Sequence, residues 1–125
     1  MAQVILDIPY PRDKAAFNRK YSLNSWIGGK HWAGRNAAIR DWHSVVILAL
    51  KQNRIRKKPF DKPYEAVFLW DDKLDVDNHS IIAKATIDAL KGWVVVDDNP
   101  KWFRRVTHSF WRGGAIRVVV REVEN

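Results

Sequence analysis

The sequence predicts a single α/β domain, α+β-like in arrangement, in which a small mixed β-sheet carries two main helices. Three observations lead to this class. The 125 residues suffice for one compact domain but not comfortably for two. Short apolar or alternating runs typical of strands are separated by two stretches with helical spacing. Neither a repeat nor a linker interrupts the chain, so we expect one domain over residues 1–125.

The N-terminal quarter predicts a strand followed by a loop. Gln3 to Ile8 is typical of a strand, and Pro9 and Pro11 end it. Asparagines and glycines recur over residues 12–34, so this segment is predicted to be irregular. Loops of this length inside a compact domain usually serve a function or are disordered. We therefore expect a mobile loop that contacts nucleic acid.

The middle of the chain predicts a helix, a strand and a second helix. Residues 33–53 repeat apolar side chains at helical spacing, and Tyr64–Trp70 is a strongly apolar strand expected at the centre of the sheet. Residues 78–91 form the second predicted helix, with Asp77 or Asn78 as its N-cap.

The C-terminal part predicts further strands. Gly92 should end the second helix, and residues 93–96 read as a short apolar strand. Residues 101–112 and 115–123 resemble the two arms of a hairpin around Gly113 and Gly114.

Composition excludes several classes of protein. The absence of cysteine rules out a disulfide scaffold and a thiolate zinc site. The longest apolar run has about six residues, against about 20 for a membrane span. The first residues lack the pattern of a secretion signal. We expect a cytoplasmic protein with neither a membrane contact nor a small-molecule cofactor.

Positive charge is concentrated in one half of the chain. Residues 1–62 hold 13 Lys or Arg against four Asp or Glu, whereas residues 63–125 hold nine against ten. A basic field attracts phosphate backbones by releasing counterions, although a merely solvated basic surface is the plainer alternative. Of the seven tryptophans, Trp26 and Trp32 could stack on bases. The candidate contacts to nucleic acid are Arg19, Lys20, Lys30, Arg35 and Arg40.

The acidic residues of the second half suggest a metal site. If the central strand continued to Asp77, the side chains of Asp75 and Asp77 would leave the same face. Asp97 and Asp98 follow the predicted strand 93–96, so adjacent strand ends would bring both groups together. Carboxylates about 4 Å apart repel by about 4 kcal/mol at an effective dielectric of 20, which a cation must offset. Oxygen ligands favour Mg²⁺, or Mn²⁺, over zinc.

Ordinary interpretations compete with this one. Spacing alone also fits a solvated loop or a helix cap at Asp75 and Asp77. Single histidines such as His31 and His79 are not expected to be ligands. The remaining acidic residues also have ordinary structural interpretations. Asp71 and Asp72 would be turn residues, and Asp88 would be a solvated residue or an ion-pair partner of Lys84.

Three motifs in order resemble the RusA family of Holliday-junction resolvases. They are Asp75-Val76-Asp77-Asn78, the helix segment Lys84-Ala85-Thr86-Ile87-Asp88-Ala89-Leu90, and Trp93 followed by Asp97-Asp98. The front of the chain is similar as well, with Ile8-Pro9-Tyr10-Pro11 and Asn18-Arg19-Lys20-Tyr21. The resemblance therefore spans nearly the whole sequence.

The resemblance implies a homodimeric, magnesium-dependent endonuclease that places paired nicks in branched DNA at a four-way junction. It assigns metal binding and catalysis to Asp75, Asp77 and Asp98, and a functional lysine to Lys84. It also implies a role in recombination and repair at the nucleoid, and a gene of the kind often found in phages and prophages.

Two departures from the family pattern are visible. Lys84 lies seven residues after Asp77 instead of four, which moves it about 5 Å further along a helix but keeps the same face. Lys73 could then take its role. Asn99 follows the paired aspartates where the family tends to carry glutamine. Two alternatives stay open: a non-catalytic nucleic-acid-binding protein, and a metal nuclease acting on other branched or single-stranded DNA.

Overall fold

A four-stranded mixed sheet and four α-helices confirm the predicted α+β class in the computed structural model. The structure describes residues 2–27 and 32–124, except for the side chains of residues 32 and 33. In chain order the elements are β1 (Gln3–Pro9), α1 (Lys14–Tyr21), α2 (Leu23–Ile27), α3 (Trp32–Gln52), β2 (Tyr64–Trp70), a 3₁₀ helix (Val76–His79), α4 (Ser80–Leu90), β3 (Phe103–Phe110) and β4 (Ala115–Glu122).

The strand order is β1-β4-β2-β3, so β2 is central as expected. It pairs parallel with β3 and antiparallel with β4. The predicted hairpin is therefore wrong, because β2 lies between its two arms. The connection instead crosses the end of β2, where the Trp111 N–H donates to the Trp70 carbonyl at 3.0 Å and the Gly114 N–H to the Asp71 carboxylate at 2.8 Å.

One face of the sheet is buried and the other is charged. The strand registers align Leu6, Val118 and Phe68 in one row, and each is at most 1% exposed. The opposite face carries Asp7 and Arg117, whose guanidinium binds both carboxylate oxygens at 2.7 and 2.8 Å. The helices accordingly cover one face of the sheet only.

Two short helices occupy most of the segment 12–34, so the prediction of irregular structure there is wrong. The Asp13 carboxylate caps α1 by accepting from two backbone N–H groups of its first turn at 2.9 and 3.1 Å. Phe17 and Tyr21, one turn apart, bury their rings and fix α1 on the core. Residues 28–31 lie outside the described residues.

The two main helices lie where the sequence predicts them, except that α4 starts later than expected. α3 coincides with the predicted helix 33–53 to within one residue. α4, in contrast, starts only at Ser80, after the 3₁₀ helix. Neither Asp77 nor Asn78 is its N-cap, because the tighter turn places His79 at that position without a side-chain cap bond.

The segment after α4 is a turn. Gly92 adopts φ 79°, a conformation open to glycine, and α4 stops there as predicted. Residues 93–96 do not form the expected strand: a single bridge joins Lys91 to Val95, and three N–H groups of the turn donate back to the Leu90 carbonyl. The turn thus ties its apolar residues to the end of α4. No helix in the described part of the chain is long and apolar enough to cross a membrane.

Candidate active site

An open groove of about 310 Å³ lies between α4 and the edge strand β3. Its walls are mostly apolar, and its charged residues stand at the rim. From α4 it is lined by Ser80, Ala83, Lys84 and Ile87, and from the sheet by Phe68, Phe103, Val106 and His108, with Asp98 completing the lining.

Two of the four predicted catalytic residues meet at this groove. Lys84 and Asp98 both line it, although 14 positions separate them in the sequence. The Lys84 side chain is 71% exposed and its ammonium lies 3.6 Å from Asp88, the partner that the sequence suggested, whereas the Asp98 side chain is 27% exposed. A hydrogen bond from Lys91, and then the positive charges of Lys91 and Lys84, hold the pKa of Asp98 below its usual value. Asp98 is therefore an anion at neutral pH.

The groove wall itself is uncharged. His108 stacks on Phe68 with ring centroids 5.4 Å apart, and its Nδ1 accepts a hydrogen bond from Trp70 Nε1 at 3.1 Å. Burial, and then the nearby His79, lower the pKa of His108. The ring is thus neutral at physiological pH, and the charges that a ligand meets come from Lys84 and Asp98.

The other two predicted ligands lie at the opposite end of α4. The expectation that Asp75 and Asp77 leave one face of a continued strand is wrong, because β2 ends at Trp70. Asp75 precedes the 3₁₀ helix and Asp77 is its second residue, and both are exposed. Asp98, by contrast, contacts Lys91 just beyond the last residue of α4.

Among residues 2–27 and 32–124, no three His, Cys, Asp or Glu side chains come close enough to hold a metal ion. The premise that two adjacent strand ends gather the carboxylates fails, since residues 93–96 are a turn. The donor chemistry of Asp75, Asp77 and Asp98 suits Mg²⁺ or Mn²⁺, but a single copy of the chain does not assemble the three as one ligand cluster.

Lys91 forms ion pairs with the acidic residues near the end of α4. The Lys91 ammonium lies 2.9 Å from Asp98, 3.7 Å from Asp97 and 3.3 Å from Asp88. Carboxylates that lie close together need a cation beside them. In the part of the chain that the structure describes, the Lys91 ammonium is such a cation. The i,i+3 spacing of Asp88 and Lys91 could have suggested this pair, but only the fold adds Asp97 and Asp98.

A buried contact between Asp72 and His79, which the sequence pattern does not predict, anchors the 3₁₀ helix. The side chain of Asp72, interpreted as a turn residue, is buried, and its carboxylate lies 2.9 and 3.0 Å from His79 Nε2. It also accepts hydrogen bonds from Tyr10 Oη at 2.8 Å and from the Leu74 N–H at 3.0 Å. Burial alone would raise the pKa of Asp72, but the hydrogen bonds from His79 and Tyr10 outweigh it and lower that pKa.

His79 fixes the backbone between Asp75 and Asp77. Its ring stacks on Trp70 at 4.1 Å, and its Nδ1 lies 3.1 Å from the Val76 carbonyl. Both ring nitrogens therefore lie within hydrogen-bond distance of oxygen atoms of the 3₁₀ helix and of Asp72. The buried pair thus links the end of β2 to the residue that separates the two predicted ligands.

The predicted nucleic-acid contacts divide into exposed and structural residues. Arg40 is exposed, and Arg19, whose side chain is 72% exposed, makes only a loose pair with Asp13. The Lys20 ammonium lies 2.8 Å from Asp41, and Arg35 donates to the Trp26 carbonyl at 2.5 Å. Lys30 lies outside the described residues. Arg19 and Arg40 are thus the best placed of the set for phosphate contacts.

The structure describes one of the two tryptophan side chains that were predicted to stack on bases. Trp26 is half-buried and donates its Nε1 hydrogen to the Lys20 carbonyl at 2.8 Å, which makes it part of the packing between α1 and α2. The side chain of Trp32 lies outside the described residues. Trp26 therefore does not support base stacking, and the role of Trp32 stays a prediction.

These positions predict a specific salt dependence. Replacing Arg19 and Arg40 together with alanine should reduce the slope of log K against log salt for duplex DNA by about two, because each phosphate contact contributes about 0.9. Fluorescence anisotropy between low and moderate salt measures this slope. Replacing Lys101 and Arg104, in the second half of the chain, is the matched control. A full wild-type slope in the first variant would place the DNA surface elsewhere.

The sequence was compared with protein-family models and with curated proteins, and neither comparison found a match.

Proposed function

We propose that this protein is a metal-dependent endodeoxyribonuclease that cuts four-way DNA junctions by paired nicks, as the RusA-like motifs imply. The observation that carries the proposal is the convergence of Lys84 and Asp98 on the α4–β3 groove. These residues come from separate motifs of the resemblance, so their meeting at one site is independent support. The high positive charge of the first half supports DNA as the substrate, and a DNA substrate would favour work at the nucleoid in the cytoplasm.

The residues of the groove suggest a division of roles. Lys84, exposed at the rim, would bind a phosphate oxygen as a point charge. Asp98 would be a metal ligand at the groove, and Asp75 and Asp77 would be ligands at the other end of α4; because one chain keeps them apart, they could share an ion only across two copies. A bound Mg²⁺ or Mn²⁺ would activate water and stabilise the charge on the leaving oxygen. The neutral wall formed by Phe68, Val106 and His108 would keep a bound strand close to these groups.

Paired nicks favour a homodimer, because a two-fold junction suits a two-fold enzyme. The position of β3 supports this proposal. It forms one edge of the sheet and exposes Val106 and Phe110, which are 45% and 47% accessible. An exposed edge strand offers backbone groups on which a second copy could pair.

A cleavage assay with labelled four-way junction, replication-type flap, single strand and linear duplex tests the function. With Mg²⁺ the junction should be cut in two opposing strands, and with chelator it should only be bound. Binding without cutting under all conditions would favour a non-catalytic DNA-binding protein. Preferred cutting of flaps or single strands would favour the second alternative.

Magnesium should also stabilise the folded protein. An ion present at 100 times its dissociation constant adds about 2.7 kcal/mol to the free energy of unfolding if it binds only the folded state. Thermal melts with Mg²⁺ and with chelator measure this gain. Asp75→Asn, Asp77→Asn and Asp98→Asn should each reduce it, whereas Asp61→Asn, an exposed substitution in the segment between α3 and β2, should leave it intact. A full gain in Asp98→Asn would remove Asp98 from the ligand set.

A further inference from the structure

The segment between α3 and β2 carries cations that neither the groove nor the fold uses. Its basic residues Arg54, Arg56, Lys57 and Lys58 are all exposed. Within residues 2–27 and 32–124, none of the four has a carboxylate within 4 Å. Lys20 and Arg117, by contrast, lie within 3 Å of one. The charge of this segment is therefore available to an external anion.

The backbone of the segment is fixed against the core. The Ile55 carbonyl accepts a hydrogen bond from Trp93 Nε1 at 3.0 Å, and the Lys57 ammonium lies over the same indole ring. The buried Phe60 donates its N–H to the Val94 carbonyl at 2.9 Å. Because the backbone is already ordered, a ligand would not have to order it on binding.

Arg54 occupies a backbone conformation that disfavours an arginine. Its φ is 55°, the left-handed region in which glycine commonly ends helices. The end of α3 needs this conformation, because the Arg54 N–H donates to the Lys51 carbonyl at 3.1 Å. Any residue with a Cβ costs free energy there that glycine would not. Strain at an exposed position indicates that the arginine serves something other than the fold.

Three of these cations lie around one depression. Arg54, Arg56 and Lys58, here called the connector patch, line an open depression of about 600 Å³ beside the first residues of β1. Asp61 and Glu122 line it as well, but in the described structure neither is within 4 Å of a patch cation. The depression thus presents three arginine or lysine charges that no ion pair neutralises.

The connector patch lies at one end of the sheet. β1 and β2 both pair antiparallel with β4, so both begin at this end. α1, which carries Arg19, follows the opposite end of β1. A seven-residue strand spans about 23 Å. Val94, which contacts the segment, is four residues before Asp98 of the groove. The patch is therefore near the Asp98 end of the groove and remote from Arg19.

We propose that the connector patch binds the phosphate backbone of a duplex DNA arm that leaves the groove at its Asp98 end. This inference rests on the proposed function, to which it adds a second contact surface. Duplex DNA carries one charge per about 1.7 Å of its axis, so an arm of about 23 Å offers about 13 phosphate charges. Such an arm can meet cations at both ends of the sheet.

The salt dependence of binding tests the patch. The triple variant Arg54→Gln/Arg56→Gln/Lys58→Gln should reduce the slope of log K against log salt for a linear duplex by about 2.7, because each phosphate contact contributes about 0.9. Fluorescence anisotropy measures the slope. Arg112→Gln removes an exposed arginine beyond the end of β3 and should leave the slope unchanged. A wild-type slope in the folded triple variant overturns the proposal.

Two substitutions of Arg54 separate its charge from its strain. Arg54→Gly should melt at a higher temperature than the wild type, since glycine relieves the strain, and yet lower the slope by about 0.9. Arg54→Lys should keep the slope. A more stable Arg54→Gly with the full slope would show that Arg54 only ends α3, and would remove it from the patch.

The outcomes distinguish this inference from the proposed function. Retained junction cleavage together with an unchanged slope in the triple variant overturns the inference alone. Absence of DNA binding and cleavage in the wild type overturns both. If the triple variant loses affinity for phosphatidylserine vesicles but keeps its affinity for DNA, the patch serves a membrane surface and the inference is wrong.

Discussion

Asp77→Asn will abolish junction cleavage and leave junction binding intact. Asp77 is exposed in the 3₁₀ helix, and His79 anchors that helix without its help, so the substitution should not disturb the fold. Loss of groups that merely orient metal ligands costs 10–100-fold in activity, so removal of a ligand should cost about 100-fold or more. Binding should stay equal or tighten slightly, because one negative charge near the DNA phosphates disappears.

Single-turnover cleavage and gel-shift assays on one labelled junction measure both effects. Asp61→Asn removes an exposed carboxylate elsewhere and should match the wild type in both. Retained cleavage in Asp77→Asn would remove this residue from the metal site. Lost binding in a variant with a normal circular dichroism spectrum would instead make Asp77 part of the DNA surface.

Asp72→Ala will lower the free energy of unfolding by about 1–3 kcal/mol, the usual cost of leaving a buried polar group without its hydrogen-bond partner. The substitution leaves His79 fully buried without its carboxylate and removes the acceptor of Tyr10. Natural domains have only about 5–15 kcal/mol of net stability, so the loss is large. Urea denaturation measures it. Asp71→Ala, at the adjacent and partly exposed position, breaks only the hydrogen bond from Gly114 and should cost much less.

The contact between Asp72 and His79 should also make the free energy of unfolding depend on pH in the acidic range. Because the pKa of Asp72 in the folded state lies below its usual value, its contribution is complete above the unfolded pKa of about 3.9 and fades as the pH falls below it. The difference in unfolding free energy between the wild type and Asp72→Ala should therefore be constant near neutrality and narrow below about pH 4. A difference that widens as the pH falls below about 4 would contradict this role for the Asp72 carboxylate.

Local sequence patterns predicted which segments form helices and strands more accurately than they predicted which strands pair with each other. The apolar run Tyr64–Trp70 and the helical spacing of residues 33–53 gave correct elements, because a central strand and the buried stripe of a helix both leave a direct trace in the sequence. The alternation of residues 115–123 likewise identified a strand. It could not reveal that β2 separates this strand from β3, since alternation specifies the buried face and not the pairing partner.

The positions of the candidate site residues could likewise be predicted only where the signal lies in the local sequence. Lys84 could be placed on a face of α4 from its spacing. Asp98, in contrast, is predicted at a strand end beside Asp75 and Asp77, and the structure places it beyond the other end of that helix. The end of β2 at Trp70, however, depends on hydrogen bonds to the connection that crosses it. The burial of Asp72 and His79 depends on Tyr10, which lies 62 positions from Asp72. Contacts at such separations leave no local pattern.

The strand order has a consequence for how the protein is made. β4 joins β1 to β2, yet it is the last of the four strands that a ribosome synthesises. A nascent chain that has not reached Ala115 holds β1 and the β2–β3 pair as separate pieces with unpaired edges. Pairings of such long sequence separation form slowly and leave strands open to aggregation. We therefore expect the nascent protein to need protection, and the groove to mature only after β4 has inserted.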